Sequence, residues 1–165
     1  MEQVILAFGS NLGARRDNIR SAAVMLDARG VRVLKMSSFF ATSPVGGPMQ
    51  GDFINSAALA ETSLEPMQLL EAAKDIERRL GRDPRAPHWG PRVIDIDIIF
   101  YGRRTVAEEG LSIPHPLFAE RMFVLAPLLE IAPDFILPSG EVFQAFFRRR
   151  VAEFDFSLQM VEKLP

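Results

Sequence analysis

The chain has no cysteine among its 165 residues and only two histidines, His88 and His115. The first absence excludes disulfides, a thiolate nucleophile, an iron–sulfur cluster and any cysteine-ligated zinc. The second leaves too few imidazoles for a three-histidine metal site. Lysine is scarce too: Lys35, Lys74 and Lys163 are the only three among 19 basic residues, so the rest are arginine. No apolar run approaches the ~20 residues of a membrane span. The start, Met1-Glu2-Gln3 ahead of five apolar residues, lacks the basic lead and long apolar stretch of a signal peptide. A formal charge of −2 argues against broad nucleic-acid binding, which needs a basic surface. The expectations are a cytoplasmic protein with neither membrane nor nucleic acid as partner, folded as a single domain over residues 1–165. A chain of this length buries roughly two-thirds of its unfolded surface, so it needs no covalent staples.

What is present reads as alternating strands and helices. Val4 to Phe8 is an apolar run entering the turn Gly9-Ser10-Asn11-Leu12-Gly13, as a buried strand would. Ile19, Ala22, Ala23 and Leu26 recur at helical spacing between about 17 and 28, with Gly30 as C-cap. A strand is expected over 31–41 and another over 53–60, separated by a loop holding Pro44, Gly46, Gly47, Pro48 and Gly51. Leu69, Leu70, Ala73, Ile76 and Leu80 mark a helix over 65–80, with Ser63 as its N-cap and Gly81 as its stop. A loop over 82–92 precedes a β-branched strand over 93–101, and helices are expected over 123–131 and 142–149. The opening order β-α-β-β-α-β is that of a ferredoxin-like core, which by itself says nothing of function.

Arg92-Val93-Ile94-Asp95-Ile96-Asp97-Ile98 carries the strongest chemical signal. Alternation puts Asp95 and Asp97 on one face, about 7 Å apart, where like charges repel. One or two Mg²⁺ ions between them would offset that cost, since all plausible ligands are hard oxygens. The alternative is an arginine partner for each carboxylate, or open solvent. Glu77 lies near the end of the long helix, and spacing alone makes it an ordinary helix-surface partner. Between Arg78 and Arg92 stand Arg78, Arg79, Arg82, Arg85 and Arg92 against Asp83, a local charge of +4. Arginine forks match phosphate oxygens, so a basic loop beside paired carboxylates suggests phosphoryl transfer. No Walker A sequence is present, because Gly9 to Gly13 is not followed by Lys-Ser/Thr. Phe53 and Asn55 share a strand face near Thr42, which suits a flat heterocycle stacked on one and bonded to the other.

These pieces resemble 6-hydroxymethyl-7,8-dihydropterin pyrophosphokinase of the folate pathway, from Ile5 to about Gly140. The resemblance rests on Gly-Ser-Asn-Leu-Gly at 9–13, Ser-Ser-Phe at 37–39, Phe53-Ile54-Asn55, Ile76-Glu77 and Gly81-Arg82. It continues through Trp89-Gly90-Pro91-Arg92 into Asp95-Ile96-Asp97, then Ile113-Pro114-His115-Pro116 and Glu130-Ile131-Ala132-Pro133. It implies an α+β fold, a mostly antiparallel sheet with helices on both faces in three layers. It also implies transfer of pyrophosphate from ATP to the pterin hydroxymethyl group, releasing AMP, by a monomer acting on ATP and the pterin. Asp95 and Asp97 would hold two Mg²⁺ ions, with Asp97 the candidate acceptor of the pterin hydroxyl's proton. Phe53 and Phe123 would sandwich the pterin, with Thr42, Pro44, Val45 and Asn55 around it. Glu77, Arg85, Trp89, Arg92, Ile98, Ser112, His115 and Arg121 would surround ATP, and Arg82 with Arg92 would close on the reacting phosphates. His115, by spacing a satisfied turn histidine, becomes a phosphate contact by resemblance.

Two departures from many relatives stand out: Pro84 and Gly110 occupy positions where basic residues are common. The segment after about Ala145 lies outside the match and reads only as a packed, basic tail. A fused second folate enzyme is not expected in a chain of this length. A silent ferredoxin-like RNA module would instead show aromatics on a basic sheet face. A kinase transferring the γ-phosphoryl group would release ADP in place of AMP.

Overall fold

The computed structural model describes residues 1–87 and 89–165, and His88 lies outside the described residues. β1 (Glu2–Ser10) runs between β4 (Phe53–Thr62) and β5 (Asp95–Tyr101), antiparallel to both. The outer side of β4 carries β2 (Val31–Met36) along one half and β3 (Phe40–Thr42) along the other. β8 (Val161–Lys163) pairs with β3 and completes six strands among the described residues. The order β5-β1-β4-β2/β3 is the ferredoxin-like arrangement the sequence suggests.

The strand expected over 31–41 is therefore two pieces of one sheet edge. Ser37 is the break. Its N–H donates to the Ala57 carbonyl at 2.8 Å, while its hydroxyl oxygen, not its carbonyl, accepts the Ala57 N–H at 2.9 Å. A side chain thus substitutes for the backbone in the ladder, and the edge bends there.

Period-two alternation sorts the sheet into two cores. Leu6 and Phe8, Ile54 and Ala58, Ile96 and Ile98 face α1 (Arg15–Asp27) and α2 (Pro66–Arg79). Ile5, Ala7, Ala57, Ile99 and Phe100 face α3 (Met122–Ile131) and α4 (Phe143–Glu153). Opposite Ile5 and Leu6 of β1 the register skips Ile99, an extra residue in β5 that turns both Ile99 and Phe100 to the second core and returns Tyr101 to the first. The three-layer α+β expectation holds.

Several boundaries differ from the sequence reading, among them these. The N-cap of α2 is Glu65 and not Ser63: the Glu65 N–H donates to Gln68 Oε1 at 2.9 Å, with Pro66 as first helical residue. β5 begins at Asp95 and not at Val93, because the Val93 carbonyl turns to accept from Asn18 Nδ2 at 3.1 Å. α4 continues past Arg149 to Glu153. A hairpin of β6 (Val106–Glu108) and β7 (Leu111–Ile113), turning at Glu109-Gly110, was not foreseen. No helix among the described residues is long and apolar enough to cross a membrane.

Candidate active site

The register of the three central strands builds the floor. Gly9 of β1 pairs with Asn55 on one side and Asp95 on the other, and Ala7 pairs with Ala57 and Asp97. Phe53, Asn55, Asp95 and Asp97 therefore lie on one end of one face, beyond where α3 covers it. A Cβ at position 9 would sit 3.0 Å from Asn55 Oδ1 and 3.6 Å from the Phe53 ring, so glycine keeps this floor open. Above it is a cavity of about 850 Å³.

At the β4 end the cavity is apolar with one polar edge. Phe53, Phe123, Pro44 and Val45 line it. Thr42 and Asn55 are buried, and Asn55 Nδ2 donates to Thr42 Oγ1 at 2.5 Å. That bond fixes which way the carboxamide points and leaves its oxygen as an acceptor.

At the β5 end, charge dominates. Arg82 Nη1 lies 2.6 Å from Asp95 Oδ1 and 2.6 Å from Glu77 Oε2, while Arg92 Nη1 meets Asp95 Oδ2 at 2.9 Å. Glu77 is 1% exposed, unlike the surface partner its helical spacing suggests. The reason is the sheet edge: among the described residues β5 has no outer neighbour, and Glu77 Oε1 accepts the Ile96 N–H at 2.7 Å. Lys74 Nζ stands 3.1 Å from the other Glu77 oxygen. Burial pushes the Glu77 carboxyl up, with Asp95 adding to the rise and Lys74 opposing it. Burial also opposes ionisation of Asp95, but Arg92 and Arg82 outweigh it and hold that carboxyl below the usual range. Among the described residues Asp97 has one ion-pair partner, Arg121 at 3.9 Å, with the Lys74 charge also acting on it. Burial and the Asp95 charge push its carboxyl up to about 7.

His115 makes the turn hydrogen bond that its spacing suggests and also faces the cavity. The Leu117 N–H donates to its Nδ1 at 3.1 Å, which leaves the proton on Nε2, and the ring also lines the cavity. Burial and Arg121 lower its pKa to about 4, so it is a neutral donor at physiological pH. The Arg121 guanidinium lies 5.5 Å from the centre of the Phe123 ring, joining the charged end to the apolar end.

Two loops close the mouth and are tied by Asn11. Its Nδ2 donates to Gln50 Oε1 at 2.9 Å, and its Oδ1 accepts the Arg92 N–H at 2.8 Å. Gln50 Nε2 then donates to the Trp89 carbonyl at 2.8 Å. Gly46, with φ +74°, could not carry a side chain here: a Cβ would fall 2.5 Å from the Trp89 ring. Trp89 itself adopts φ +64°, a left-handed conformation that costs a non-glycine residue about 1–3 kcal/mol.

All the residues expected at the site line this cavity except three. Arg85 is 91% exposed in its side chain and meets Asp83 at 3.6 Å. Ile98 is buried in the core beneath α1 and α2, and Ser112 is exposed on β7. Sequence reasoning missed Lys74, whose place three residues before Glu77 was the available signal. It also missed Asn11 and Gln50, which no spacing rule connects. Among the described residues, no group of three or more His, Asp and Glu side chains converges as a metal site. Asp95 and Asp97 nonetheless suit a hard divalent cation whose other ligands are substrate oxygens and water. Burial first and the neighbouring Asp95 charge second disfavour the ionised Asp97, and a cation between the two carboxylates would offset both.

Residues 5–133 match the family model described as 7,8-dihydro-6-hydroxymethylpterin-pyrophosphokinase. The chain is 46% identical over 127 residues to the 2-amino-4-hydroxy-6-hydroxymethyldihydropteridine pyrophosphokinase of Bacillus subtilis, covering 76% of this chain and 75% of that one. The Methylorubrum extorquens protein of the same name is 42% identical over 146 residues, 88% of this chain and 92% of its own length. Among solved structures, an HPPK-DHPS in complex with substrates superposes with a TM-score of 0.71 at 15% identity, over 93% of this chain and 44% of that one. Wild-type HPPK-DHPS of Plasmodium falciparum gives a TM-score of 0.67 at 14% identity, over 93% of this chain and 44% of that one. At such identity these two establish the fold alone, and this chain spans under half of either. The family model and the bacterial relatives go further: the chain belongs to the 7,8-dihydro-6-hydroxymethylpterin pyrophosphokinase family.

Proposed function

We propose that the cavity transfers pyrophosphate from ATP to the hydroxymethyl group of 6-hydroxymethyl-7,8-dihydropterin, as a step in folate biosynthesis. One observation carries this reading. A flat apolar slot with a fixed amide edge and a cluster of arginines and carboxylates share one cavity, joined by Arg121 over Phe123. The pterin ring lies between Phe53 and Phe123, its polar edge against Asn55 and Thr42. Arg82, Arg92, Trp89, His115 and Arg121 face the nucleotide. The pterin hydroxyl oxygen bonds to the β-phosphorus as the bond from that phosphorus to the oxygen bridging the α-phosphate breaks. AMP leaves with that oxygen, and the hydroxyl proton is released.

Asp95 and Asp97 would hold Mg²⁺, which when bound neutralises phosphate charge. The residues of the chain do the rest. Arg82 and Arg92 spend the ligand-free state on Asp95. A phosphate chain competes for both guanidiniums and thereby frees the Asp95 oxygens. The neutral His115 Nε2–H donates to a phosphate oxygen without a proton needing to move. Asn11, Gln50 and Trp89 keep the two loops over the cavity, which excludes water from a phosphorus centre open to hydrolysis. The transfer is direct, and rate comes from positioning and charge stabilisation.

Two-substrate kinetics on AMP formation test the division of labour. Phe123→Ala should raise KM for the pterin about tenfold or more, a stacking loss, and leave KM for ATP close to wild type. Trp89→Ala should do the opposite. Equal effects of both variants on both substrates would overturn the two-ended reading.

A further inference from the structure

The family match ends at residue 133, yet the segment beyond α4 packs behind two walls of the cavity without lining it. Gln159 and Met160, neighbours in the chain, each bond a different wall of the pterin slot. The Met122 N–H donates to Gln159 Oε1 at 2.8 Å, and Gln159 Nε2 donates to the Glu120 carbonyl at 2.7 Å. Met122 opens α3, and the residues beside it are Arg121 and Phe123. The Ser43 N–H donates to the Met160 carbonyl at 3.3 Å, and β8 continues from there along β3, pairing Val161 with Thr42. Further along, Lys163 stands 3.4 Å from Glu130 near the end of α3, and Glu130 Oε1 also accepts from Ser38.

A helix start leaves its first N–H groups without intrahelical partners. α3 has no side-chain cap of its own at Arg121, so Gln159 supplies from 37 residues away what a serine or aspartate would supply locally. The distant source matters. A local cap would hold α3 only to its own loop, whereas Gln159 holds it to the strand that carries Thr42.

We propose that Gln159 is a positioning residue for the pterin slot: through the 159–164 tail it fixes the spacing between the Phe123 wall and the Thr42 wall. This rests on the pterin reading of the cavity. Its consequence is greatest at the pterin end, because Arg82, Arg92 and Asp95 make none of these contacts, and Arg121, between Glu120 and Met122, is the nucleotide-facing residue it also reaches.

The test compares Gln159→Ala, Gln159→Glu and Glu162→Pro in the full chain. Gln159→Ala should raise KM for the pterin about tenfold, and KM for ATP by a clearly smaller factor through Arg121. Gln159→Glu keeps an acceptor for the Met122 N–H and should recover most of the pterin affinity. Glu162→Pro removes the N–H facing Ala41 and should reproduce the Gln159→Ala split by another route. Amide hydrogen exchange supplies a readout independent of turnover: protection at Met122 and Ser43 should fall together in Gln159→Ala. A variant with lower thermal stability but unchanged pterin KM would make the tail mere scaffold and overturn the proposal. So would loss of protection at Met122 alone. Absence of AMP from the wild type would sink the pterin reading instead, while exchange at Ser43 would still judge the tie between the walls.

Discussion

Asp95 and Asp97 differ by two positions and by nearly everything else in their surroundings. Asp95 is bonded by two arginines and stays ionised, whereas Asp97 has one distant arginine and a carboxyl raised to about 7. Either to alanine should lower AMP formation by about 10²-fold or more, with the circular dichroism of the fold retained. In the ligand-free protein Asp97 also sets a pH dependence. Its folded pKa lies above its ordinary 3.8, so the folded state keeps a proton that the unfolded chain has released. Stability from this group therefore declines as pH rises from about 4 and is fully lost above about 7. Asp97→Asn should raise Tm at pH 8 by about 3 °C, on the scale of 1 kcal/mol, and change it little at pH 4. An equal gain at both values would mean the carboxyl is not perturbed. The acidic pair itself was legible, because alternation in a strand fixes which residues share a face. The burial of Glu77 was not, since it depends on β5 being an edge strand, and edge position is a property of the assembled sheet.

At the scale of elements, the long apolar stretches are legible and some of their ends, such as Phe53, Tyr101 and Ile131, are too, while others are not. α2 was clear from Leu69, Ala73 and Ile76, but its cap was placed at Ser63 because that residue type is the common one. The split between β2 and β3 depends on a serine hydroxyl reaching across to Ala57, which no periodicity encodes. β8 is three residues long and exists by pairing with β3, so nothing in its own composition announces it. The two mouth loops make a prediction of their own. Gly47 has φ +78°, and a Cβ there would stand 2.6 Å from the Trp89 carbonyl. Gly47→Ala must therefore separate the loops. Trp89 is the single tryptophan, so its emission should shift toward that of a solvated indole, and KM for ATP should rise several-fold. An unchanged spectrum would mean that the loops do not rely on this contact.

For the molecule as a whole, the sheet divides two cores, and the site occupies the end of one face that α3 leaves uncovered. β1 runs through the middle and sets both registers, so Gly9 alone brings Asn55 and Asp95 to either side of one residue. That arrangement turns a chain of near-neutral charge into a cavity with an apolar slot at one end and an arginine-carboxylate cluster at the other. The cavity's charged side chains are accordingly mostly carboxylates and guanidiniums, with His115 as the single imidazole among its lining residues. The central claim is that both ends act on one reaction, at the β-phosphorus of ATP. The direct measurement is the nucleotide product when the protein is mixed with ATP, Mg²⁺ and 6-hydroxymethyl-7,8-dihydropterin. The account predicts AMP and the pterin diphosphate in equal amounts, with no AMP when the pterin is omitted. ADP as the product, or no AMP from folded protein with all three present, would contradict it.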